Sequence, residues 1–155
     1  MYVQCFLYKY MKTKTVSYTI DHPIDDVFSR VTAAINLSLS ERSESLNTSY
    51  AQPVGTEFQY RETAFGQDVA YTAQITQFQK PTLMEFKLTE RNITTTIQVH
   101  FQTLIEGSTE VRYEITLTGA NIIQRFFKRN HIAAWMKRFD EQIYFATKIL
   151  GKKIV

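Results

Sequence analysis

The order of apolar and polar residues predicts a strand, a helical region, a run of strands and a second helical region. Residues 15–20 alternate as in a strand, and Asp-His-Pro at 21–23 ends it. Asp21 is suited to cap a following helix, and Pro23 suits its first turn. Apolar residues then recur at helical spacing, at Ile24, Val27, Phe28, Val31 and Ile35. The Ser- and Thr-rich residues 36–52 are predicted to form a second short helix or a loop.

Between Gly55 and Gly119 the apolar period changes from helical to alternating. Five strands follow one another there, and short turns join them, which predicts an antiparallel meander. The predicted turns lie at 65–68, 80–82, 91–92 and 106–108. Each strand has one apolar and one polar side, so one face of the sheet needs a covering element.

The pattern after Gly119 is helical again and continues to Leu150. Its apolar stripe consists of Trp135, Phe139, Ile143, Ala146 and Leu150. The opposite, solvent-facing side is predicted to carry Lys137, Arg138, Asp140, Glu141 and Lys148. This long C-terminal helix is the predicted cover of the sheet.

Composition limits the class of protein. A chain of 155 residues that is 44% hydrophobic and 21% charged is predicted to be one globular domain with one core. Its net charge of +3 is too small to indicate nucleic-acid binding by itself. The lone Cys5 excludes an internal disulfide and a multi-cysteine metal site, which favours a reducing compartment. No cofactor is predicted.

The first ten residues are apolar and aromatic but do not form a good signal peptide, because a charged leading region and a cleavage site are missing. Lys9 and Lys12 interrupt the apolar run, so no membrane span is predicted. We therefore expect a cytoplasmic protein. Met11 opens a segment, MKTKTVSYTI, that looks like the normal start of a protein. We therefore predict that residues 1–10 are an extension outside the core and that residues 11–155 form a single domain. The alternative is an extra edge strand, or an arm that packs on a neighbouring molecule.

Two segments carry a resemblance to a known fold: residues 17–28, SYTIDHPIDDVF, and residues 55–58, GTEF. With the order of elements from Thr13 to Leu150, they resemble the START-like or SRPBCC superfamily, the helix-grip fold of the birch pollen allergen and polyketide cyclases. Within it the chain resembles a small bacterial family of unknown function. The resemblance implies an α+β fold, in which an antiparallel curved sheet of about six strands wraps around a long C-terminal helix. One or two short helices are expected between strands 1 and 2.

The resemblance also implies a cavity between sheet and helix that binds a small apolar or amphipathic molecule. Alternation and helical spacing supply the candidate lining residues independently of it. They are Phe58, Tyr60, Tyr71, Ala73, Ile75, Phe86, Ile97, Val99, Tyr113, Ile115, Trp135, Phe139 and Ile143. The alternative is that these side chains simply fill the core. The tyrosines favour a pocket, because a buried phenol needs a hydrogen-bond partner and ligand sites combine apolar walls with a few polar groups.

Residues suited to catalysis are few. His22, His100 and His131 lack the spacing of a zinc site, and neither a phosphate-binding glycine loop nor a nucleophile elbow is present. Glu62 is the one acid on the same side of its strand as Phe58 and Tyr60, where a buried carboxylate would suit a general base. It lies near the strand end, so we expect it to be exposed or paired instead. We therefore predict no catalytic residues and no metal. A cyclase- or hydratase-like enzyme is a further alternative.

Two surface functions are also compatible with the sequence. A basic cluster beside Phe126 and Phe127 is compatible with attachment to anionic lipid or nucleic acid. Its members are Arg125, Lys128, Arg129, Lys137 and Arg138. Asp140 and Glu141 interrupt this cluster, which favours an ordinary solvated helix face. The other alternative is a protein–protein contact, such as a homodimer, through Phe126, Phe127 and the N-terminal aromatic residues.

Deletion of residues 1–10 tests the predicted domain boundary. If these residues lie outside the core, the truncated chain should keep the melting temperature and oligomeric state of the full chain. If the N-terminal aromatic side chains are buried, each should contribute on the order of 1.5–3 kcal/mol. A lower melting temperature, or a dimer that becomes a monomer in light scattering, would show that the segment belongs to the fold.

Overall fold

The computed structural model describes residues 12–41, 54–64, 67–90, 93–119 and 122–150. They form six strands and two helices: β1 Lys12–Ile20, α1 Ile24–Glu41, β2 Glu57–Ala64, β3 Gln67–Gln79, β4 Leu83–Glu90, β5 Ile93–Thr103, β6 Thr109–Thr118 and α2 Ile122–Leu150. The predicted extension at 1–10, with Cys5, and the predicted start at Met11 lie outside the described residues.

The strands form one curved antiparallel sheet in the order β1-β6-β5-β4-β3-β2. The five consecutive strands β2 to β6 are the predicted meander, and β1 pairs with its last strand, so that Val16 lies opposite Tyr113. Gly107 has a φ of 83° in the turn between β5 and β6, a conformation that glycine adopts without steric cost. The α+β fold predicted from the sequence is confirmed.

Both helices cover the same side of the sheet, which we call the inner face. The Phe28 ring of α1 lies 5.2 Å from the Phe78 ring and 4.9 Å from the Phe101 ring, measured between centroids. The Trp135 ring of α2 lies 5.7 Å from that of Phe86. The hydrophobic core therefore lies between the inner face and the two helices. Among the described residues, neither helix combines the length and hydrophobicity that a bilayer span requires.

A β-bulge in β3 changes which side chains reach the inner face. The register with β4 shifts between Ile75 and Gln77. Strict alternation would place Ile75 and Phe78 on opposite faces, yet Ile75 is buried and Phe78 packs against the same core. The extra residue at the bulge returns Phe78 to the inner face, where it contacts Phe28.

Helix α1 continues to Glu41, so residues 36–41 belong to it and not to a separate second element. Leu39 is buried and extends the apolar stripe past Ile35. Burial of this side chain outweighs the modest helix propensity of the neighbouring Asn36 and Ser38. The remainder of the predicted second helix or loop, residues 42–53, lies outside the described residues.

The opposite side of the sheet, the outer face, is polar as predicted but contains one buried carboxylate. Glu85 is only 5% exposed, although alternation placed it on a solvent-facing side. Its carboxylate accepts hydrogen bonds from Thr76 Oγ1 at 2.7 Å, Gln98 Nε2 at 2.6 Å and Gln77 Nε2 at 3.1 Å. Burial alone would raise the pKa of Glu85, but these hydrogen bonds outweigh it and lower the pKa below its usual value.

Substitution of Trp135 tests the packing of α2 on the inner face. Trp135→Ala should lower the free energy of unfolding by about 3–5 kcal/mol, because it removes a large buried side chain. The exposed Lys137 provides the control, and Lys137→Ala should change the free energy of unfolding by no more than about 0.5 kcal/mol. Equal shifts of the denaturation midpoint for the two variants would contradict this orientation of α2.

Substitution of Glu85 tests the buried carboxylate. Glu85→Gln should lower the free energy of unfolding by about 1.5–3 kcal/mol near neutral pH, because an amide nitrogen replaces one of the charged carboxylate oxygens that accept hydrogen bonds. The carboxylate's pKa is lower in the folded than in the unfolded chain, so its contribution is present above the unfolded value of about 4.3 and is lost as the pH falls through the folded value. Denaturation at neutral and acidic pH should therefore show a smaller difference between variant and wild type in acid. Glu57→Gln, at an exposed position of the same face, should have little effect at either pH. A Glu85→Gln difference that is independent of pH would contradict the assignment.

Candidate functional site

The predicted cavity residues lie on the inner face and on the side of α2 that faces it. Every member whose side chain is described is buried: Phe58, Tyr71, Ala73, Ile75, Phe86, Ile97, Val99, Tyr113, Ile115, Trp135, Phe139 and Ile143. The backbone of Tyr60 lies opposite Tyr71 in the β2–β3 pair, and its side chain lies outside the described part of the chain. The inward orientation is thus as the pattern predicts, and ligand contact by these residues stays a prediction.

Aromatic contacts hold α2 against β4 and β6. The Tyr113 and Phe139 rings stack, with centroids 4.0 Å apart and planes inclined by 16°. The Trp135 ring lies 5.7 Å from Phe86 and 6.0 Å from Phe139. Offset and tilted aromatic pairs of this kind add to the stabilisation that apolar burial provides. They determine how far α2 lies from this part of the sheet.

Two tyrosine hydroxyls connect the sheet to one turn of α2. The Tyr113 hydroxyl donates to Gln142 Oε1 at 3.2 Å, and the Tyr18 hydroxyl donates to Asp140 Oδ1. The two tyrosines lie on neighbouring strands, and their rings meet edge to face at 6.0 Å. The Tyr113–Gln142 bond is buried inside an otherwise apolar interface, whereas the Tyr18–Asp140 bond lies at its exposed edge.

The phenols on this side of the sheet stay protonated. Burial raises the pKa of Tyr113, and its neighbours Tyr18 and Asp140 raise it further. Burial also raises the pKa of Tyr18, with its hydrogen bond to Asp140 as the second cause. The pKa of Tyr71 is raised by burial and then by the charge of Glu90. All three phenols are therefore neutral at neutral pH, and those of Tyr18 and Tyr113 donate their protons to Asp140 and Gln142.

A cleft of about 240 Å³ lies between the two helices. Its lining residues are Ala34, Leu37 and Ser38 of α1 with Arg138, Glu141, Gln142 and Phe145 of α2. It differs in place from the predicted cavity, because α1 forms one wall and the sheet forms none. The sequence pattern does not predict this cleft.

Arg138 corrects the predicted solvent-facing side of α2. It is 8% exposed, and its guanidinium carbon lies 4.6 Å from the centroid of the Trp135 ring. Arg138 is three residues from Trp135, so its long side chain can lie over the indole ring. It also lines the cleft together with residues of α1, so it lies on the flank of α2 that faces α1. Arg138 therefore does not belong to the predicted basic surface cluster. Lys137, another predicted member, is exposed. The remaining side chains of that cluster, within 125–129, lie outside the described part.

Gln142 is the residue of this region that the sequence analysis missed. It is only 4% exposed and joins Tyr113 to the cleft. The available signal was its spacing, since Gln142 follows Trp135 by seven residues and Phe139 by three, and so lies on the apolar face. A polar residue at such a position needs a partner inside the protein, and here the partner is a buried phenol.

The two histidines whose side chains are described, His22 and His100, do not assemble a site. Thr109 Oγ1 donates to the backbone oxygen of His22 at 2.8 Å, which joins the end of β1 to β6. His100 lies on the outer face, and its Nε2 is 3.2 Å from Gln98 Oε1 and 3.5 Å from Glu114 Oε2. The side chains of His131 and Glu62 lie outside the described part of the chain. Within the described ranges, no three His, Cys, Asp or Glu residues are grouped as metal ligands would be.

Comparison with solved structures identifies the fold. No family model matches the chain, and no curated protein matches its sequence. The allergen Ara h 8.0201 is 11% identical over 89% of this chain and 99% of its own, with a TM-score of 0.63. The di-domain ARO/CYC protein StfQ is 14% identical over 96% of this chain and 55% of its own, with a TM-score of 0.69. A protein from Thermus thermophilus is 16% identical over 90% and 98% of the two chains, with a TM-score of 0.59. The chain has the helix-grip fold.

In this helix-grip domain α2 is the helix that the sheet encloses, and α1 covers the rest of the inner face. The chain spans about half the length of the di-domain proteins that it matches. The identities lie between 11% and 18%, so the likeness concerns the fold. The narrower resemblance to one bacterial family stays a prediction.

Proposed function

We propose that this helix-grip protein binds a small hydrophobic or amphipathic molecule between the inner face of its sheet and α2, without transforming it. The residues proposed to line the site are those predicted from the sequence, with Tyr60, Tyr71 and Tyr113 as the polar groups. The observation that carries the proposal is the burial of protonated phenols within an apolar face, at Tyr71 and Tyr113. Apolar walls with a few hydrogen-bonding groups are the usual chemistry of small-molecule sites.

Binding is favoured over catalysis by the composition of this set. The proposed lining residues include no acid, histidine or cysteine that acid–base or nucleophilic catalysis would use. The buried carboxylate of Glu85 belongs to the outer face, where the side chains of Thr76, Gln77 and Gln98 already occupy it. An enzyme on this scaffold would need its reacting groups on the inner face.

The fold comparison supports a small-molecule role in a general way. StfQ and BexL are, by name, ARO/CYC proteins from the steffimycin and BE-7585A biosynthetic pathways. Both have the fold of this chain, but one fold serves many activities. We propose that this protein likewise acts on a small molecule, by binding it, and that it acts in the cytoplasm.

A fluorescence titration with Nile red, an apolar dye, tests the proposal. Wild-type protein should bind about one dye molecule per chain, as expected for one enclosed site. Ile97→Trp places a larger side chain on the inner face and should abolish binding while the protein still melts cooperatively. Thr96→Trp adds the same ring at the next position, which faces the outer side, and should leave dye binding unchanged.

A solid core gives a different result. Overpacking a filled interior costs about 1–3 kcal/mol, whereas filling an empty pocket does not. If wild-type protein binds no dye and Ile97→Trp is strongly destabilised in the same buffer, the lining residues only fill the core. That pair of results would overturn the proposed function.

A further inference from the structure

The inner face changes in polarity along its strands. Residues that pair from strand to strand form rows across this face, and one row is wholly apolar: Ile75, Phe86, Ile97 and Ile115. The next row contains a hydroxyl, at Thr95, between Leu88 and Leu117. Two residues further along their strands, Tyr71 and Glu90 lie on the same face. Polarity therefore increases from Ile97 towards the turn that joins β4 to β5.

Thr95 differs from the other buried threonines of the described residues. It is 8% exposed, and Thr32, Thr109 and Thr147 are buried as well. Each of those three donates its hydroxyl to a backbone oxygen, at 2.7, 2.8 and 2.9 Å. No hydrogen bond joins the Thr95 hydroxyl to another residue in the described ranges, and its oxygen is not completely enclosed. Since buried hydroxyls normally have a partner, this one is open to a bound molecule.

The apolar core is interrupted beside Thr95. Among the described residues, Ile93 and Leu117 form a small buried cluster that is separate from the main core. Thr95 lies between Leu117 and Leu88, and Leu88 belongs to the main core. Protein interiors are close-packed, so a break in apolar contact next to a hydroxyl is a suitable place for the polar group of a ligand.

From these observations we propose that the molecule bound between the sheet and α2 carries an uncharged hydroxyl that bonds to Thr95, and an apolar body that extends towards Ile97 and Phe86. This inference rests on the proposed function and adds the chemical class and the orientation of the ligand. A ligand hydroxyl suits Thr95 because each of the two groups can both donate and accept a hydrogen bond.

Charge disfavours an ionised group at this place. Strands β3 to β6 carry no lysine or arginine on the described part of the inner face, so a carboxylate or phosphate would lose its water without gaining a cation. The Tyr71 phenol is neutral, and Glu90 already has an interaction of its own, so it does not require a cationic ligand. The expected ligands are therefore alcohols and phenols.

Equilibrium dialysis with 2-naphthol and naphthalene tests the proposal, because the two compounds share a ring system and only 2-naphthol has a hydroxyl. Thr95→Val replaces the hydroxyl by a methyl group of similar size. It should weaken 2-naphthol binding at least about tenfold and leave naphthalene binding unchanged. Thr96→Val makes the same change at the next position, which faces the outer side, and should alter neither affinity. Equal effects of Thr95→Val on both compounds, or no effect on 2-naphthol, would overturn the proposal.

Thermal denaturation of the Thr95→Val protein tests the state of the hydroxyl without any ligand. Because the hydroxyl has no partner in the described part of the protein, its removal should leave the melting temperature unchanged or raise it. A lower melting temperature would mean that Thr95 bonds within the protein, and would overturn the proposal.

Ile97→Trp locates the binding and separates this proposal from the previous one. Ile97 precedes Phe86 in the direction of the apolar body, so this variant should lose 2-naphthol as well as Nile red. Binding of 2-naphthol to a folded Ile97→Trp protein would place the molecule elsewhere and overturn the proposed orientation. If Nile red binds wild type but Thr95→Val does not affect 2-naphthol, only the hydroxyl contact fails. If neither compound binds wild type, both proposals fail.

Discussion

The packing of α2 on the inner face of the sheet is the interaction on which the rest of this structure depends. Five successive strands turn apolar side chains to one side, and that side cannot face water without losing the main driving force of folding. The stack of Phe139 on Tyr113 and the contact of Trp135 with Phe86 meet this requirement at the centre. Each buried aromatic or aliphatic side chain contributes on the order of 1.5–3 kcal/mol.

The orientation of α2 explains why the inner face and the cleft between the helices lie close together. One side of the helix faces the sheet through Phe139, and the flank beside it faces α1 through Arg138. Gln142 lies where these two surfaces meet, because it lines the cleft and its amide oxygen accepts the hydrogen bond of the buried Tyr113 hydroxyl. A shift of α2 along the sheet would therefore alter both regions at once. The Tyr18 bond to Asp140 opposes such a shift from the neighbouring strand.

The two faces of the sheet have different electrostatic roles. On the inner face the polar groups are phenols with raised pKa values, so they remain neutral, and burial costs them less free energy than it would cost an ionised group. On the outer face a charged group, Glu85, is buried, and three side-chain donors compensate its desolvation. The polar groups of the inner face are thus neutral phenols, whereas between the helices Arg138 is a buried cation stacked on the Trp135 ring.

The sequence by itself determined the elements, the meander and the inner-face residues, because the periods of strand and helix follow from backbone geometry alone. Its resemblance to a known fold indicated that the C-terminal helix is enclosed. Alternation reports which side of a sheet a residue faces, but not how crowded that side is. Only the tertiary structure could therefore decide the burial of Glu85 and the return of Phe78 to the core at the bulge. Helical spacing likewise found the stripe that faces the sheet, and Gln142 lies on that stripe. The burial of Arg138, in contrast, involves α1, a second neighbour that no local pattern in α2 records.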